Sequence, residues 1–157
     1  MSTDDDDQER RERRAQWNRM FAANVPHNVA LGIEILELGA EHAVFRLPYA
    51  AHLVGNVETG VLHGGAITAL LDACSGAAVF GALTKPQPIA TLDLRIDYLR
   101  PGAAGRDILA RATCYRVTRN VAFTRAVAYH DDPDDPIASA AGTFMLATKL
   151  GKVGGTP

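Results

Sequence analysis

The sequence predicts an α+β domain in which an antiparallel sheet of about six strands wraps one long central helix, with an extra helix ahead of it. Three observations carry that prediction. Residues 63–83 read HGGAITALLDACSGAAVFGAL, an almost wholly apolar run, which suits a helix buried on most of its surface. Four segments after it show strand patterning, clearest where Leu92, Leu94, Ile96 and Tyr98 alternate with Asp93, Arg95 and Asp97. Two shorter strand-like segments precede it. Runs of strands around a single helix belong to the α+β class, and 157 residues suit one domain.

Taken in order, the chain opens on Asp4, Asp5, Asp6 and Asp7, followed by Arg10, Arg11, Arg13 and Arg14. No apolar stretch comes next, so the opening does not read as a secretory signal. From Gln8 to about Asn24 the apolar stripe Trp17, Met20, Phe21 with Asn24 has helical spacing, and Pro26 is expected to end this docking helix. Leu31, Ile33, Ile35 and Leu36 form the first expected strand, stopped by Gly39, and Ala43, Phe45 and Leu47 the second, stopped by Pro48. Tyr49–Leu62 reads as a loop. After the long helix and the Leu92–Tyr98 strand, ended by Pro101 and Gly102, come strands over 108–117, 121–129 and 137–148. The short link Thr118-Arg119-Asn120 marks a hairpin, and DDPDDP at 131–136 an exposed turn. The expected division is a tail and helix over 1–28, the domain over 29–150, and a terminal tail over 151–157.

Composition narrows the function. Hydrophobic residues are 47% and charged residues 22% of the chain, the balance of a globular protein. A net charge of −2 does not suit a nucleic-acid binder. Cys74 and Cys114 form no CxxC pair and no disulfide framework, so a cytoplasmic setting is expected. The 63–83 run is long enough to cross a bilayer. Its four glycines, its aspartate and the lack of a basic flank ahead of it favour burial in a domain, and no membrane association is expected.

Within the long helix the chemistry narrows to Asp72. A carboxylate in an apolar element must be paired, hydrogen-bonded or near water; it is either structural or a general base or nucleophile facing a cleft. Gly64 and Gly65 stand at the helix start, where N–H groups lack intrahelical partners and an oxyanion could be held. Gly64 and Asp72 are eight residues apart, about 12 Å along the axis, too far for one carbonyl to touch both. A two-fold dimer with antiparallel facing helices would bring Asp72 of one chain to Gly65 of the other. His63 and Cys74 are about 16 Å apart along the helix, and Ser75 has no GxSxG elbow. The five histidines form no HExxH motif, and no phosphate-binding glycine loop occurs. No metal and no cofactor is expected.

The stretch Asn56-Val57-Glu58-Thr59-Gly60-Val61-Leu62-His63-Gly64-Gly65, then Asp72, then TLDLRIDYLRPG from Thr91 resembles the hotdog-fold thioesterases of the PaaI type over about residues 29–148. The resemblance implies hydrolysis of aryl or short-to-medium acyl-CoA thioesters, with coenzyme A part of the substrate. It implies a homodimer with active sites at the interface, as a dimer or a tetramer. It assigns Asp72 as the acid that activates water or attacks the thioester, the Gly65 N–H as the carbonyl's donor and Asn56 as a helper amide. His63 and Gly64 of the HGG motif position the substrate, Thr91 lies near the acid, and Arg119 and Asn120 meet the coenzyme A portion. Asn56 stands seven residues before His63, where relatives show six. Ala66, Ile67, Leu70, Ala73, Gly76 and Ala77 are expected to line the acyl pocket. Glu58 and His63, five apart, leave an acyl-thioester hydratase or dehydratase as an alternative, beside a non-catalytic acyl-CoA binding module.

Overall fold

A computed structural model describes residues 24–85 and 87–146. The expected helix over Gln8–Asn24 lies outside the described residues except for Asn24, as does the tail from Gly151. The first described helix, α1, is Pro26–Leu31. Pro26 begins this helix. Its ring presets φ and it stands where a missing N–H costs nothing. Gly32, at φ 71°, closes α1 in the left-handed region, so Leu31 belongs to this helix and not to the first strand.

Two strands follow, β1 (Glu34–Leu38) and β2 (His42–Leu47). The expected loop then contains a single 3-10 turn at Ala51–Leu53 and a small hairpin, β3 (Val54–Asn56) with β4 (Val61–Leu62). The long helix α2 spans Gly64–Ala82. β5 (Ile89–Tyr98), β6 (Ile108–Val117), β7 (Val121–Tyr129) and β8 (Ala138–Leu146) complete the chain. The main sheet has six strands in the order β1-β2-β6-β7-β8-β5, every neighbouring pair antiparallel. β1 and β5 are its edges. This is the hotdog architecture: a sheet curled around one helix.

Small side chains let sheet and helix approach. Ala110, Ala112, Ala126, Ala128, Ala138 and Ala140 are all buried on the face that meets α2. From the helix, Leu70, Leu71, Cys74, Ala78 and Val79 are fully buried against them. α2 packs chiefly on β2, β6 and β7 and far less on β5 and β8. Its other long face is only half buried. α2 is long and apolar enough to cross a bilayer by length and composition, but here its most apolar face is spent on the sheet.

The edge strand β5 carries a bulge that bears on the site. Leu94, Ile96 and Tyr98 stand opposite Gly142, Ala140 and Ala138, on the helix side. Strict alternation would turn Thr91 outward. The register shifts between Thr91 and Asp93, and Thr91 instead stands opposite the buried Phe144. One extra residue, Leu92, thus returns Thr91 to the helix side.

Candidate active site

The half-buried face of α2 brings Ala69, Asp72, Ala73, Gly76, Ala77 and Phe80 to one groove of about 320 Å³. Phe45, Ile89, Thr91 and Phe144 of the sheet and Val25, His27 and Asn28 at α1 supply its other walls. Asp72 is the acid in it. Thr91 Oγ1 donates to Asp72 Oδ1 at 2.9 Å, and the carboxylate makes no other hydrogen bond among the described residues. One oxygen is thereby held in place while Oδ2 keeps its accepting capacity. Of the six residues expected to line an acyl pocket, Ala73, Gly76 and Ala77 do so beside Asp72. Ala66 and Leu70 are turned into the core, and Ile67 lines a different cavity. The helical period accounts for part of this: positions 69, 72, 73, 76, 77 and 80 share a stripe and 67 and 70 fall outside it, while Ala66 shares the stripe but lies in the first turn of α2, ahead of the groove.

The start of α2 is built separately. His63 is the N-cap residue, and its Nδ1 accepts the Gly65 N–H at 2.9 Å. The accepting nitrogen carries no proton, so the imidazole proton sits on Nε2. The Gly65 donor is therefore engaged within the chain. Tyr98 Oη donates to the Gly64 carbonyl at 2.7 Å and lies 2.8 Å from Thr68 Oγ1. With its single proton committed to Gly64, Tyr98 accepts from Thr68. These bonds tie the first turn of α2 to the end of β5. A cavity of about 370 Å³ opens beside them, lined by Gly64, Ile67, Tyr98, Arg100 and Pro101 among others. Because α2 is continuous from Gly64 to Ala82, the separation of about 12 Å between the helix start and Asp72 stands.

The remaining expected residues lie elsewhere. Asn56 Oδ1 accepts from the N–H groups of Glu58 and Thr59 at 2.9 and 3.2 Å, a local turn that shapes the β3–β4 link. Arg119 and Asn120 are exposed in the β6–β7 hairpin and line neither cavity. No bond joins Glu58 to His63, whose imidazole is turned to Gly65. Cys74 is fully buried, its Sγ toward the Ala43 and Ala110 carbonyls. Burial pushes its thiol up, far from a nucleophilic thiolate. No group of three or more His, Cys, Asp or Glu among the described residues could hold a metal ion. A further hollow of about 450 Å³ among Arg95, Arg111 and Arg125 lies on the outer face of the sheet and contains neither Asp72 nor the helix start.

The thioesterase superfamily model matches residues 59–137, which include the HGG turn, Asp72, the bulged strand and the β6–β7 hairpin. The chain belongs to this superfamily. Within it, the chain is 35% identical over 140 residues to the medium/long-chain acyl-CoA thioesterase YigI of Escherichia coli, covering 81% of this chain and 89% of that one. A Pseudomonas aeruginosa protein of solved structure is 43% identical with a TM-score of 0.75, covering 83% of this chain and 96% of that one. A mutant of the phenylacetic acid degradation protein PaaI from Thermus thermophilus is 29% identical with a TM-score of 0.67, covering 77% and 98%. Such thioesterase-like chains share the sheet and central helix described above. α1, at 26–31, precedes the matched region.

Two contributors to the site were not foreseen from sequence. Tyr98 read only as the last inward residue of a strand; nothing in its pattern shows that its hydroxyl reaches Gly64. α1 was hidden because Pro26 and Gly32 bracket just six residues, too few for a periodic signal.

Proposed function

We propose that this chain hydrolyses acyl-CoA thioesters at sites built between two protomers, with Asp72 as general base or nucleophile. The observation that carries the proposal is Asp72 held by Thr91 in an apolar groove, on a helix whose amino terminus offers the complementary donor. In this reading the thioester carbonyl takes the place of His63 Nδ1 as acceptor of the partner protomer's Gly65 N–H. Asp72 then either removes a proton from water as the water attacks the carbonyl carbon, or attacks that carbon itself, so that the C–S bond breaks, coenzyme A leaves as its thiolate and an anhydride forms, which water opens to the free acid and the Asp72 carboxylate while giving a proton to the thiolate. On the water route the oxyanion collapses, the C–S bond breaks, and the coenzyme A thiolate takes the proton held by Asp72. Loss of one oxyanion donor costs about 2.7–4 kcal/mol in comparable sites.

Pairing of two chains supports the geometry. β5 is an edge strand with Leu92 51%, Tyr98 51% and Leu99 57% exposed along or just beyond it, an edge suited to a second copy. A dimer, or a tetramer of two dimers, joins each Asp72 groove to a partner's helix start. In this reading the working unit is the domain at 29–150 extended back to Pro26, so that it takes in all of α1. Asn56 orders the loop before the HGG turn, and Arg119 and Asn120 take the coenzyme A portion from the hairpin.

Thiol release from a panel of acyl- and aryl-CoA esters tests the reading, with Asp72→Asn in parallel. Turnover by the wild type, lost in a variant that stays folded and assembled, is the expected result. Turnover retained by Asp72→Asn contradicts it. Oxygen-18 from labelled water entering the Asp72 carboxylate in a single turnover marks the anhydride route.

A further inference from the structure

We infer that Tyr98 is a positioning residue for the oxyanion donor: its hydroxyl holds and polarises the peptide that carries the Gly65 N–H. The inference rests on the thioesterase reading and adds a residue to which that reading gives no role. The Gly64 carbonyl and the Gly65 N–H are the two ends of one planar, conjugated peptide unit. A hydrogen bond accepted by the carbonyl draws electron density from the nitrogen and makes the N–H a stronger donor. Tyr98 Oη donates to this carbonyl at 2.7 Å, and Thr68 Oγ1, 2.8 Å away, donates in turn to Tyr98. The chain of bonds therefore runs from the Thr68 hydroxyl through Tyr98 to the Gly64 carbonyl, with the Gly65 N–H at its far end.

The turn is shaped to admit this hydroxyl. A Cβ on Gly64 would lie 3.2 Å from Tyr98 Oη and 3.4 Å from its Cζ, and a Cβ on Gly65 would lie 2.9 Å from His63 Nδ1. Gly64 thus clears the way for one ring and Gly65 for the other. The phenol is also anchored outside α2. Tyr98 ends β5, paired with Ala138, and the Leu99 and Arg100 N–H groups that follow both donate to the Ile137 carbonyl at 2.8 and 3.2 Å. The first N–H groups of a helix have no intrahelical carbonyl to align them, so the sheet fixes the plane of this peptide through its carbonyl. Tyr98 is 51% exposed. A phenylalanine would make the same ring contacts and water could satisfy the hydroxyl, yet the hydroxyl is spent on α2.

The test measures kcat, KM and melting temperature for the wild type, Tyr98→Phe, Thr68→Val and the double variant, on an acyl-CoA ester that the wild type hydrolyses. Outright loss of an oxyanion donor costs about 10²–10³ in kcat. Cooperative strengthening is about 10–30% per bond, and that share of the exponent is about two- to eightfold. Tyr98→Phe is therefore expected to lower kcat at least about twofold with KM unchanged. Thr68→Val is expected to lower kcat less, and to add nothing once Tyr98 is phenylalanine, because it acts only through that hydroxyl. NMR reads the peptide itself. Gly64–Gly65 is one of only two Gly–Gly peptides in the sequence, the other being Gly154–Gly155, so carbonyl-13C, amide-15N glycine isolates its signals. In Tyr98→Phe the Gly64 carbonyl carbon and the Gly65 amide proton are expected to move upfield. A lower melting temperature with kcat unmoved shows a structural tie alone; it overturns the inference and leaves the thioesterase reading intact. Losses in kcat that add in the double variant, or unmoved Gly64 and Gly65 resonances, overturn it as well. A wild type that hydrolyses no ester overturns the thioesterase reading and the inference with it.

Discussion

The two long faces of α2 are built from nearly the same small apolar residues and do opposite work. One face buries Leu70, Leu71, Cys74, Ala78 and Val79 completely under the sheet. The other presents Ala69, Ala73, Gly76 and Ala77 around Asp72 in a groove. Gly81 and Gly76 condense the difference. A Cβ on the first would run into the Gly39 carbonyl oxygen, whereas among the described residues one on the second would meet Ile89 and Phe144 at an ordinary contact distance of 3.7 Å. A residue type therefore does not tell which face serves the fold and which serves chemistry. Asp72 does, because a carboxylate is tolerated only on the face that water and substrate reach.

Substitutions on the two faces should separate activity from stability. The largest effect is expected for Asp72→Asn: kcat falls by about 10²–10⁴, the range of a lost general base, while the melting temperature stays within a few degrees. On the packed face, Leu70→Ala is expected to cost about 2–5 kcal/mol in urea unfolding, because its side chain is wholly enclosed. Comparable stability losses from Leu70→Ala and from Ala73→Gly would break the distinction between the faces. Thr91→Val removes the hydroxyl that holds Asp72. A hydrogen bond to a charged group is worth about 1.5–3 kcal/mol, so kcat should fall at least tenfold, with KM moving less.

The smallest effects sharpen the comparison from outside it. Arg106 donates to both Asp131 oxygens on the exposed surface and holds that carboxyl below the usual aspartate range. A depressed carboxylate contributes stability above its ordinary pKa and loses it as pH falls through the lowered value. This pair is solvent-screened. Arg106→Ala should return the Asp131 titration, followed by carbon-13 NMR, to its ordinary range and leave the neutral-pH melting temperature unchanged. A drop of several degrees would show that the Asp131 turn bears on the fold far more than a screened surface pair should.

Much of this was legible in residue order. Strands β6 and β7 fall where their alternation places them, and α2 where its apolar run does, because strong periodicity survives any tertiary context. His63, Gly64, Gly65 and Asp72 stand out because a histidine, two glycines and an acid interrupt an apolar helix. Three features were not legible. The β5 bulge that aims Thr91 at Asp72 changes the strand's parity with no change in its composition. The bond from His63 to Gly65 depends on a rotamer. The β3–β4 hairpin uses strands of three and two residues, shorter than any pattern can show. Each is a matter of one residue's placement, which side-chain alternation does not encode.

The central claim is that one site takes Asp72 from one chain and the Gly65 N–H from another. Mixing two inactive variants tests it most directly. Asp72→Asn removes the acid. Gly65→Pro removes the donor at a first-turn position where proline is tolerated. A mixed dimer then holds one site with both lesions and one intact site. Random reassembly of equal amounts yields half mixed dimers, so about a quarter of wild-type activity should return. If Asp72 and Gly65 of the same chain served one site, every site in the mixture would carry a lesion, and no activity would return.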